Sequence, residues 1–216
     1  MDQILFIDKP KGMTSFDVIR RLRKKLGVRK MGHAGTLDPN ASGLLIVGIG
    51  EDTKRLKEFM ALPKTYIMDI LLGAGTDTGD IEGRIIEQKP VADIPAEKMS
   101  AILREMIATI RLPIPAYSAL KYKGRPRYVY ARKGISIEPK MRDMEIYSLT
   151  MLGVQRYDYR GLASIVITVE MRCGKGTYAR SVAEEIGRRL GVPATLRDLR
   201  RTQIGEFNVA DAEKIE

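Results

Sequence analysis

The sequence has 216 residues, 44% of them hydrophobic and 30% charged, which is enough chain to bury a core of its own. Its 37 Lys and Arg residues outnumber 27 Asp and Glu, and the resulting formal charge of +10 favours a polyanionic partner such as a nucleic acid. One cysteine and one histidine exclude a disulfide framework and the usual structural zinc site, and the apolar runs are too short for a signal peptide or membrane span, so we expect a cytoplasmic protein without a metal.

Hydrophobic periodicity and turn residues predict the elements of the first half of the chain. A helix is expected where Thr14 or Ser15 can provide an N-cap and Gly27 a C-cap, with apolar residues at helical spacing between them. The other predicted elements are a strand at 3–8, a buried strand at 44–50, a short helix from Asp52 or Thr53 to Phe59, a strand at 66–72 and a loop at 73–83.

The second half begins with a predicted helix that starts at Pro95 and stops before Leu112. A cation-rich segment with interleaved tyrosines follows, and then a long hairpin is predicted from strands at 144–157 and 162–173. An amphipathic helix is expected at 177–191. Because no repeat, low-complexity tract or linker interrupts the chain, the pattern favours one mixed α/β domain.

The segment GHAGTLDPNASGLL (32–45) contains the only histidine, His33, and an Asp-Pro pair at Asp38 and Pro39. Proline restricts the residue before it to extended geometry, so this loop holds one carboxylate in a defined direction. Two readings remain open from the local pattern. Asp38 is either a reactive carboxylate or the side chain of an Asx turn, with His33 an ordinary surface residue.

Two familiar catalytic motifs do not fit. CGKGTY (173–178) resembles a phosphate-binding loop, but that motif needs glycine where Val169 stands and Ser or Thr where Gly176 stands. The G-x-S-x-G motif of hydrolases is also absent around Ser42. A P-loop nucleotide site and a serine nucleophile are therefore not expected.

Several segments together carry a resemblance that no single motif carries. DKPKGMTS (8–15), KMGHAGTLDPNASGLLIVGIGEDTK (30–54), KTY (64–66), GTDTGDIEG (75–83), PAYSALKYKG (115–124) and GKGTYARSVAEEIG (174–187) resemble, in order and spacing, the motifs of bacterial tRNA pseudouridine-55 synthases. The resemblance implies an α+β fold, with a central mixed, mostly antiparallel sheet flanked by helices, and a single catalytic domain over 1–216. Relatives commonly continue into a small RNA-binding PUA domain, which we expect to be absent here.

The resemblance also implies roles for individual residues. Asp38 corresponds to the catalytic aspartate, Tyr66 to the tyrosine that stacks on the target base, and Arg180 to the arginine that pairs with the aspartate. Expected substrate-binding residues are His33, Leu199, Lys9, Pro10, Lys175 and Tyr178. Among these, Leu199 corresponds to the floor of the apolar pocket, His33 to the residue that fills the space left by the flipped base, and Lys9 and Pro10 to a buttress of the loop. Outside this context, Tyr66 reads as an ordinary strand tyrosine and Arg180 as the partner of Glu184 in a helix-surface ion pair.

The implied activity is isomerisation of the T-arm loop uridine, position 55 of tRNA, to pseudouridine. The nucleotide is flipped out, the glycosidic bond is cleaved with the help of the aspartate, and the base is rejoined through C5. The expected partner is the T-arm stem-loop of tRNA, with no cofactor, no obligatory protein partner and a monomeric enzyme. Two alternatives stay open: a guide-RNA-dependent pseudouridine synthase subunit and a non-catalytic tRNA-folding chaperone.

Three groups of basic residues are expected to follow RNA phosphates, although a merely solvated basic surface is the alternative. The first group is Arg20, Arg21, Arg23, Lys24, Lys25, Arg29 and Lys30. The second is Lys121, Lys123, Arg125, Arg127, Arg132 and Lys133. The third is Arg188, Arg189, Arg197, Arg200 and Arg201.

Overall fold

The computed structural model describes residues 2–91 and 93–215, and this part of the chain divides into two compact units. The first unit contains the described residues up to Ile67, the segment Met171–Lys175 and the described residues from Asp198 onward. The second contains Met68–Glu170 and Gly176–Arg197. The assignment of 1–216 to one catalytic domain stays a prediction. No helix in the described residues is long and apolar enough to cross a membrane.

The helices and strands of the described residues follow each other along the whole chain. The α-helices are α1 (Ser15–Leu26), α2 (Leu56–Ala61), α3 (Ala96–Glu105), α4 (Arg127–Ala131) and α5 (Ala179–Leu190), and the 3-10 helices are Gly50–Arg55 and Val209–Asp211. The strands are β1 (Gln3–Lys9), β2 (Met31–Ala34), β3 (Ser42–Ile49), β4 (Lys64–Leu72), β5 (Ala74–Thr76), β6 (Ile85–Gln88), β7 (Thr109–Pro113), β8 (Lys121–Tyr122), β9 (Arg125–Pro126), β10 (Met141–Tyr159), β11 (Leu162–Cys173), β12 (Ala194–Ile204), β13 (Phe207–Asn208) and β14 (Glu213–Lys214).

Helix α1 confirms the prediction made from its capping residues. Thr14 is the N-cap and accepts a hydrogen bond from the Asp17 amide, while the Asp17 carboxylate accepts one from the Thr14 amide, forming a capping box. Gly27 ends the helix in the left-handed conformation at φ 68°. The predicted strands β1, β3 and β4 and the long hairpin of β10 and β11 are also present.

Three local predictions differ from the structure. Helix α3 ends at Glu105 and not near Leu112, because residues from Thr109 onward pair with β10 as strand β7. The short helix predicted from Asp52 begins instead as the 3-10 helix Gly50–Arg55, without a side-chain cap. The predicted loop at 73–83 contains strand β5, which pairs with β6. Strands β2 and β12 were not predicted.

The centre of the first unit is strand β3, whose eight residues are all buried. It pairs antiparallel with β1 from Gly43 to Ile49, and its other edge pairs antiparallel with β2 at Ile46–Ile49 and parallel with β12 at Ser42 and Gly43. Leu45, Val47 and Ile49 pack with apolar residues of α1, while Leu44 and Ile46 pack in a second cluster that includes Phe59 and Ile204. Both faces of β3 are thus covered by apolar side chains, as is typical of a strand in the interior of a sheet that is packed on both sides.

In the second unit, β10 lies between β11 and β7 in the sheet order. Strand β7 pairs antiparallel with the start of β10, from Met141 opposite Pro113 to Glu145 opposite Thr109. Helix α3 packs against β10 and α5, and α5 also contacts β7. The fully buried side chains of Met144, Met106 and Val182 belong to this core.

Candidate active site

The loop that carries Asp38 runs from the end of β2 to the start of β3 in the first unit. At this loop, the strand that pairs with the edge of β3 changes from β2 to β12. Within the loop, the Ala41 amide donates to the Asp38 carbonyl at 3.1 Å, closing a main-chain turn. Ser15, at the start of α1, accepts from the Leu37 amide at 2.9 Å and donates to the Leu37 carbonyl at 3.2 Å. The residue before Asp38 is therefore held on both of its main-chain groups.

The residue after Asp38 is held by Lys9 and Gly12. The Gly12 amide donates to the Pro39 carbonyl at 2.9 Å, and the Lys9 ammonium donates to the same carbonyl at 3.3 Å. Lys9 is fully buried and also donates to the carbonyls of Pro10 at 2.8 Å and Met13 at 2.6 Å. Burial lowers its pKa to about 8, although the nearby charge of Asp38 acts in the opposite direction.

Arg201 on β12 is the central basic residue of this region, and its side chain is only 1% exposed. Its Nε donates to the Leu44 carbonyl at 2.7 Å, and one terminal nitrogen donates to the Gly35 carbonyl at 3.1 Å. The prediction that it belongs to a basic group on the RNA-facing surface is therefore wrong. The same correction applies to Arg127, which is 4% exposed and donates to the Glu138 carbonyl.

Tyr66 lies on β4 of the first unit and is half-buried. Burial raises the pKa of its phenol, and the Asp38 carboxylate contributes in the same direction. The Arg201 guanidinium opposes this by its charge and as a hydrogen-bond donor to the hydroxyl. The structure therefore brings Tyr66, Asp38 and Arg201 within electrostatic reach of one another.

His33 and Leu199 lie on the two strands that pair with the same edge of β3 next to this loop. His33 lies on β2 opposite Val47 of β3, and no hydrogen-bond partner for its buried Nδ1 is present among residues 2–91 and 93–215. Burial and the charge of Arg201 lower its pKa, so the imidazole is neutral at neutral pH. Leu199 on β12 is 9% exposed. Of the other predicted residues in this unit, Pro10 and Lys175 are exposed.

Arg180 and Tyr178 belong to the second unit. Arg180, on the first turn of α5, is 6% exposed and donates to the carbonyls of Thr78 at 3.1 Å and Tyr117 at 2.9 Å. It also lies 3.5 Å from an oxygen of Asp80. The alternative of an ion pair between Arg180 and Glu184 on the helix surface is wrong about the surface, because the guanidinium is buried. The two side chains do interact, since burial raises the pKa of Glu184 and the charge of Arg180 opposes this. The Tyr178 amide at the N-cap of α5 faces the sulfur of Met144 at 3.5 Å.

Arg201 is the residue of this site that the sequence interpretation missed. By composition alone, the pair Arg200-Arg201 in a basic protein predicts two exposed side chains. The only signal in the sequence that Arg201 belongs to the site was its position two residues after Leu199. No cluster of three His, Cys, Asp or Glu side chains that could hold a metal occurs in the described part of the chain. The expectation of a reaction without metal or cofactor stays a prediction.

Comparison with known protein families shows the family to which the Asp38 loop and its surroundings belong. Residues 23–179 match the model of the TruB family pseudouridylate synthase, N-terminal domain. The chain belongs to the TruB family of pseudouridylate synthases. The match covers Asp38 and Tyr66, and it confirms the family resemblance and the enzyme class found from the motifs.

Curated relatives in the TruB family match over the whole length of this chain. One relative, "tRNA pseudouridine synthase B" from Desulfotalea psychrophila, is 46% identical over 211 residues, covering 97% of this chain and 84% of the relative. Proteins of the same name from Geobacillus thermodenitrificans and Endomicrobium trichonymphae are 42% and 39% identical, covering 100% and 98% of this chain and 71% and 89% of the relatives.

Solved structures confirm the pseudouridine synthase fold with its mixed sheet. A chain from a Cbf5-Nop10-Gar1 complex superposes with a TM-score of 0.71 at 25% identity, covering 98% of this chain and 52% of that one. A chain from an H/ACA RNP bound to a substrate RNA containing 2'-deoxyuridine gives a TM-score of 0.70 at 24% identity, covering 98% and 50%. This TruB family chain spans about half the length of those two chains.

Proposed function

We propose that this TruB family member converts uridine 55 in the T-arm loop of tRNA to pseudouridine, acting in the cytoplasm without a cofactor or protein partner. The observation that carries the proposal is the match, over essentially the whole chain, to relatives named "tRNA pseudouridine synthase B" at about 40% identity. The geometry of the Asp38 loop supports it, because both neighbours of Asp38 are held through main-chain groups. A carboxylate fixed in this way is prepared for one reaction geometry.

The target uridine is stacked inside an RNA loop and must leave the stack before Asp38 can reach it. Flipping costs a few kcal/mol, and stacking on an aromatic ring returns roughly 1 to 3 kcal/mol per base. We assign this stacking to Tyr66, the floor of the base pocket to Leu199, and filling of the vacated position to His33. A neutral imidazole suits that last role, because it stacks between bases without adding a charge.

Asp38 acts as a carboxylate in each first step that the chemistry permits. Attack on ribose C1′ displaces the uracil as the leaving group, and removal of the 2′ proton of the sugar expels it to leave a glycal. Addition to uracil C6 instead gives an adduct whose glycosidic bond is cleaved in a later step. The pairing of Arg180 with Asp38 stays a prediction from the resemblance. Because arginine cannot be neutralised near neutral pH, such a pairing favours the ionised carboxylate.

The proposal is tested by mapping pseudouridine on an unmodified tRNA transcript after incubation with the purified chain. Carbodiimide adducts stop primer extension at pseudouridine, so we expect one new stop at the T-loop uridine without any added factor. Asp38→Asn should abolish the stop, while Asp143→Asn, an exposed aspartate of β10, should leave it unchanged. No stop with the unaltered chain would contradict the proposal.

The two alternatives give different outcomes in the same assay. A guide-RNA-dependent subunit forms pseudouridine only when a guide RNA and accessory proteins are added. A tRNA-folding chaperone accelerates refolding of the transcript equally well with Asp38→Asn, and it forms no pseudouridine.

A further inference from the structure

Arg201 reaches both ends of the segment that carries Asp38. Its Nε donates to the carbonyl of Leu44, near the start of β3, at 2.7 Å, and a terminal nitrogen donates to the carbonyl of Gly35, three residues before Asp38, at 3.1 Å. Asp38 therefore lies between two main-chain groups held by one planar guanidinium. Because the group is rigid and its donors have a fixed geometry, the two carbonyls are kept at a fixed separation.

The same guanidinium acts on the hydroxyl of Tyr66 as a hydrogen-bond donor and by its charge. Tyr66 comes from β4, whereas Gly35 and Leu44 flank the Asp38 loop, so Arg201 connects two parts of the site that are distant in sequence. With 1% of its side chain exposed, Arg201 is closed to an RNA ligand. Its effect on a bound nucleotide is therefore exerted through the groups it holds.

We propose that Arg201 is a positioning residue, whose guanidinium sets the placement of the Asp38 carboxylate relative to the Tyr66 ring. Its catalytic consequence rests on the proposed function, but the positioning itself is a property of the free protein. Lysine at this position keeps the charge and loses the fork of donors, because an ammonium is a single compact centre. The substitutions Arg201→Lys and Arg201→Met therefore separate geometry from charge.

The kinetic arm compares both variants with the wild-type chain on the tRNA transcript. We expect Arg201→Lys to lower kcat by about 10- to 100-fold, the range expected when a reacting group is displaced by about 1 Å. KM should stay within about two-fold, because a side chain that is closed to RNA adds no contact of its own. Arg104→Met, an exposed arginine of α3, is the matched control and should leave both constants unchanged.

The spectroscopic arm uses the free protein and needs no activity. The ¹³C chemical shifts of the Asp38 side chain and of the Tyr66 ring should move in both Arg201→Lys and Arg201→Met, since both variants lose the fork of donors, and should keep their wild-type values in Arg104→Met. In the wild-type chain, the Arg201 Nε proton should exchange slowly with water. Tyr66→Phe should shift the Arg201 terminal-nitrogen resonances without altering the fold.

The outcomes separate this inference from the proposed function. If the wild-type chain modifies tRNA, and both Arg201 variants keep kcat within about three-fold of it with unchanged Asp38 and Tyr66 chemical shifts, the positioning role is wrong. If the wild-type chain is inactive while these chemical shifts move in both Arg201 variants as expected, the proposed function fails and the positioning stands. Should neither variant fold, fast exchange of the Arg201 Nε proton in the wild-type chain would itself overturn the inference.

Discussion

Lys9 and Arg201 lie on opposite sides of Gly43 in one row across three strands. Gly43 of β3 is the register partner of Lys9 on β1 and of Arg201 on β12. Residues paired across strands direct their side chains to the same face, so two fully buried cations share that face with only a glycine between them. The charge of Arg201 lowers the pKa of Lys9, whereas that of Asp38 raises it. Asp38, together with Asp17, thus partly offsets the effect of burial on the pKa of Lys9.

Replacement of Gly43 by any residue with a side chain is predicted to destabilise the fold. Its φ is +105°, and a Cβ added there would lie 2.1 Å from the Arg201 carbonyl oxygen. We expect Gly43→Ala to lower the free energy of unfolding by about 3 kcal/mol or more, because backbone and not a flexible side chain blocks the added carbon. Urea denaturation measures the change. Gly153→Ala, where a Cβ meets nothing within 4 Å, is the control, and equal losses in both variants would refute the argument.

Loss of the Lys9 ammonium should reduce turnover more than stability. Lys9→Met removes the hydrogen bond to the carbonyl of Pro39, directly after Asp38, and leaves its aliphatic volume largely filled. We predict a 10- to 100-fold lower kcat on tRNA, about the cost of a misplaced reacting group. The matched control is Lys57→Met on the exposed face of α2. Equal kcat values for the two variants would show that the loop does not depend on Lys9.

Local signals in the sequence were sufficient to predict much of the fold. Helix α1 was predictable because its caps, Thr14 and Gly27, act within the helix itself. The end of α3 was not, because residues 109–113 keep an apolar spacing compatible with a helix and are made a strand only by pairing with β10. Strand β12 was missed because charged residues interrupt ATLRDLRRTQI. The burial of Leu196, Leu199 and Arg201 depends on the neighbouring strands and not on the local sequence.

The candidate site shows the same division between local and tertiary information. Asp38 is predicted as a site residue from the Asp-Pro loop and the motif context, and Tyr66 from the short KTY segment. Arg201 was assigned to the surface because composition treats every arginine alike, whereas its burial depends on the carbonyl oxygens of Gly35 and Leu44, more than 150 residues earlier in the chain. Only the folded chain shows that contact.

Lys64 is expected to make stability depend on pH in the alkaline range. Its ammonium is buried, donates to the carbonyls of Phe59, Met60 and Leu62 at the C-terminal end of α2, and has a pKa lowered by burial from 10.5 to about 8. Between these two values the unfolded chain binds more protons than the folded chain. The contribution of Lys64 to the free energy of unfolding is therefore lowest below pH 8 and rises through the window by up to about 1.4 kcal/mol per pH unit.

The measurement for Lys64 is urea denaturation across that window for the wild-type chain and Lys64→Met. The difference between their unfolding free energies should shift in favour of the wild type as the pH rises from 8 to 10.5. Lys57→Met serves again as the control, and its free energy of unfolding should change with pH in parallel with that of the wild type. A difference that stays constant over the window would mean that the Lys64 pKa is not depressed.

The exposed cations of α1 are predicted to contact RNA phosphates. Arg20, Arg21, Lys24 and Lys25 are exposed on this helix, and each phosphate contact contributes about 0.7 to 0.9 to the slope of log affinity against log salt. We expect Lys24→Gln combined with Lys25→Gln to reduce the slope for tRNA binding by up to about 2, measured by filter binding. Lys98→Gln on α3 should not change it. An unaltered slope in the double variant would show that Lys24 and Lys25 do not contact RNA phosphates and are only solvated surface residues.

The most direct test of the account is release of tritium from a tRNA transcript labelled at C5 of its uridines. Joining C5 to C1′ displaces the hydrogen at C5, so each conversion releases one label. We predict that the wild-type chain alone releases the equivalent of one uridine per tRNA, and that Asp38→Asn, folded and binding tRNA as tightly, releases none. Release by Asp38→Asn at the wild-type rate would contradict the central role of this carboxylate.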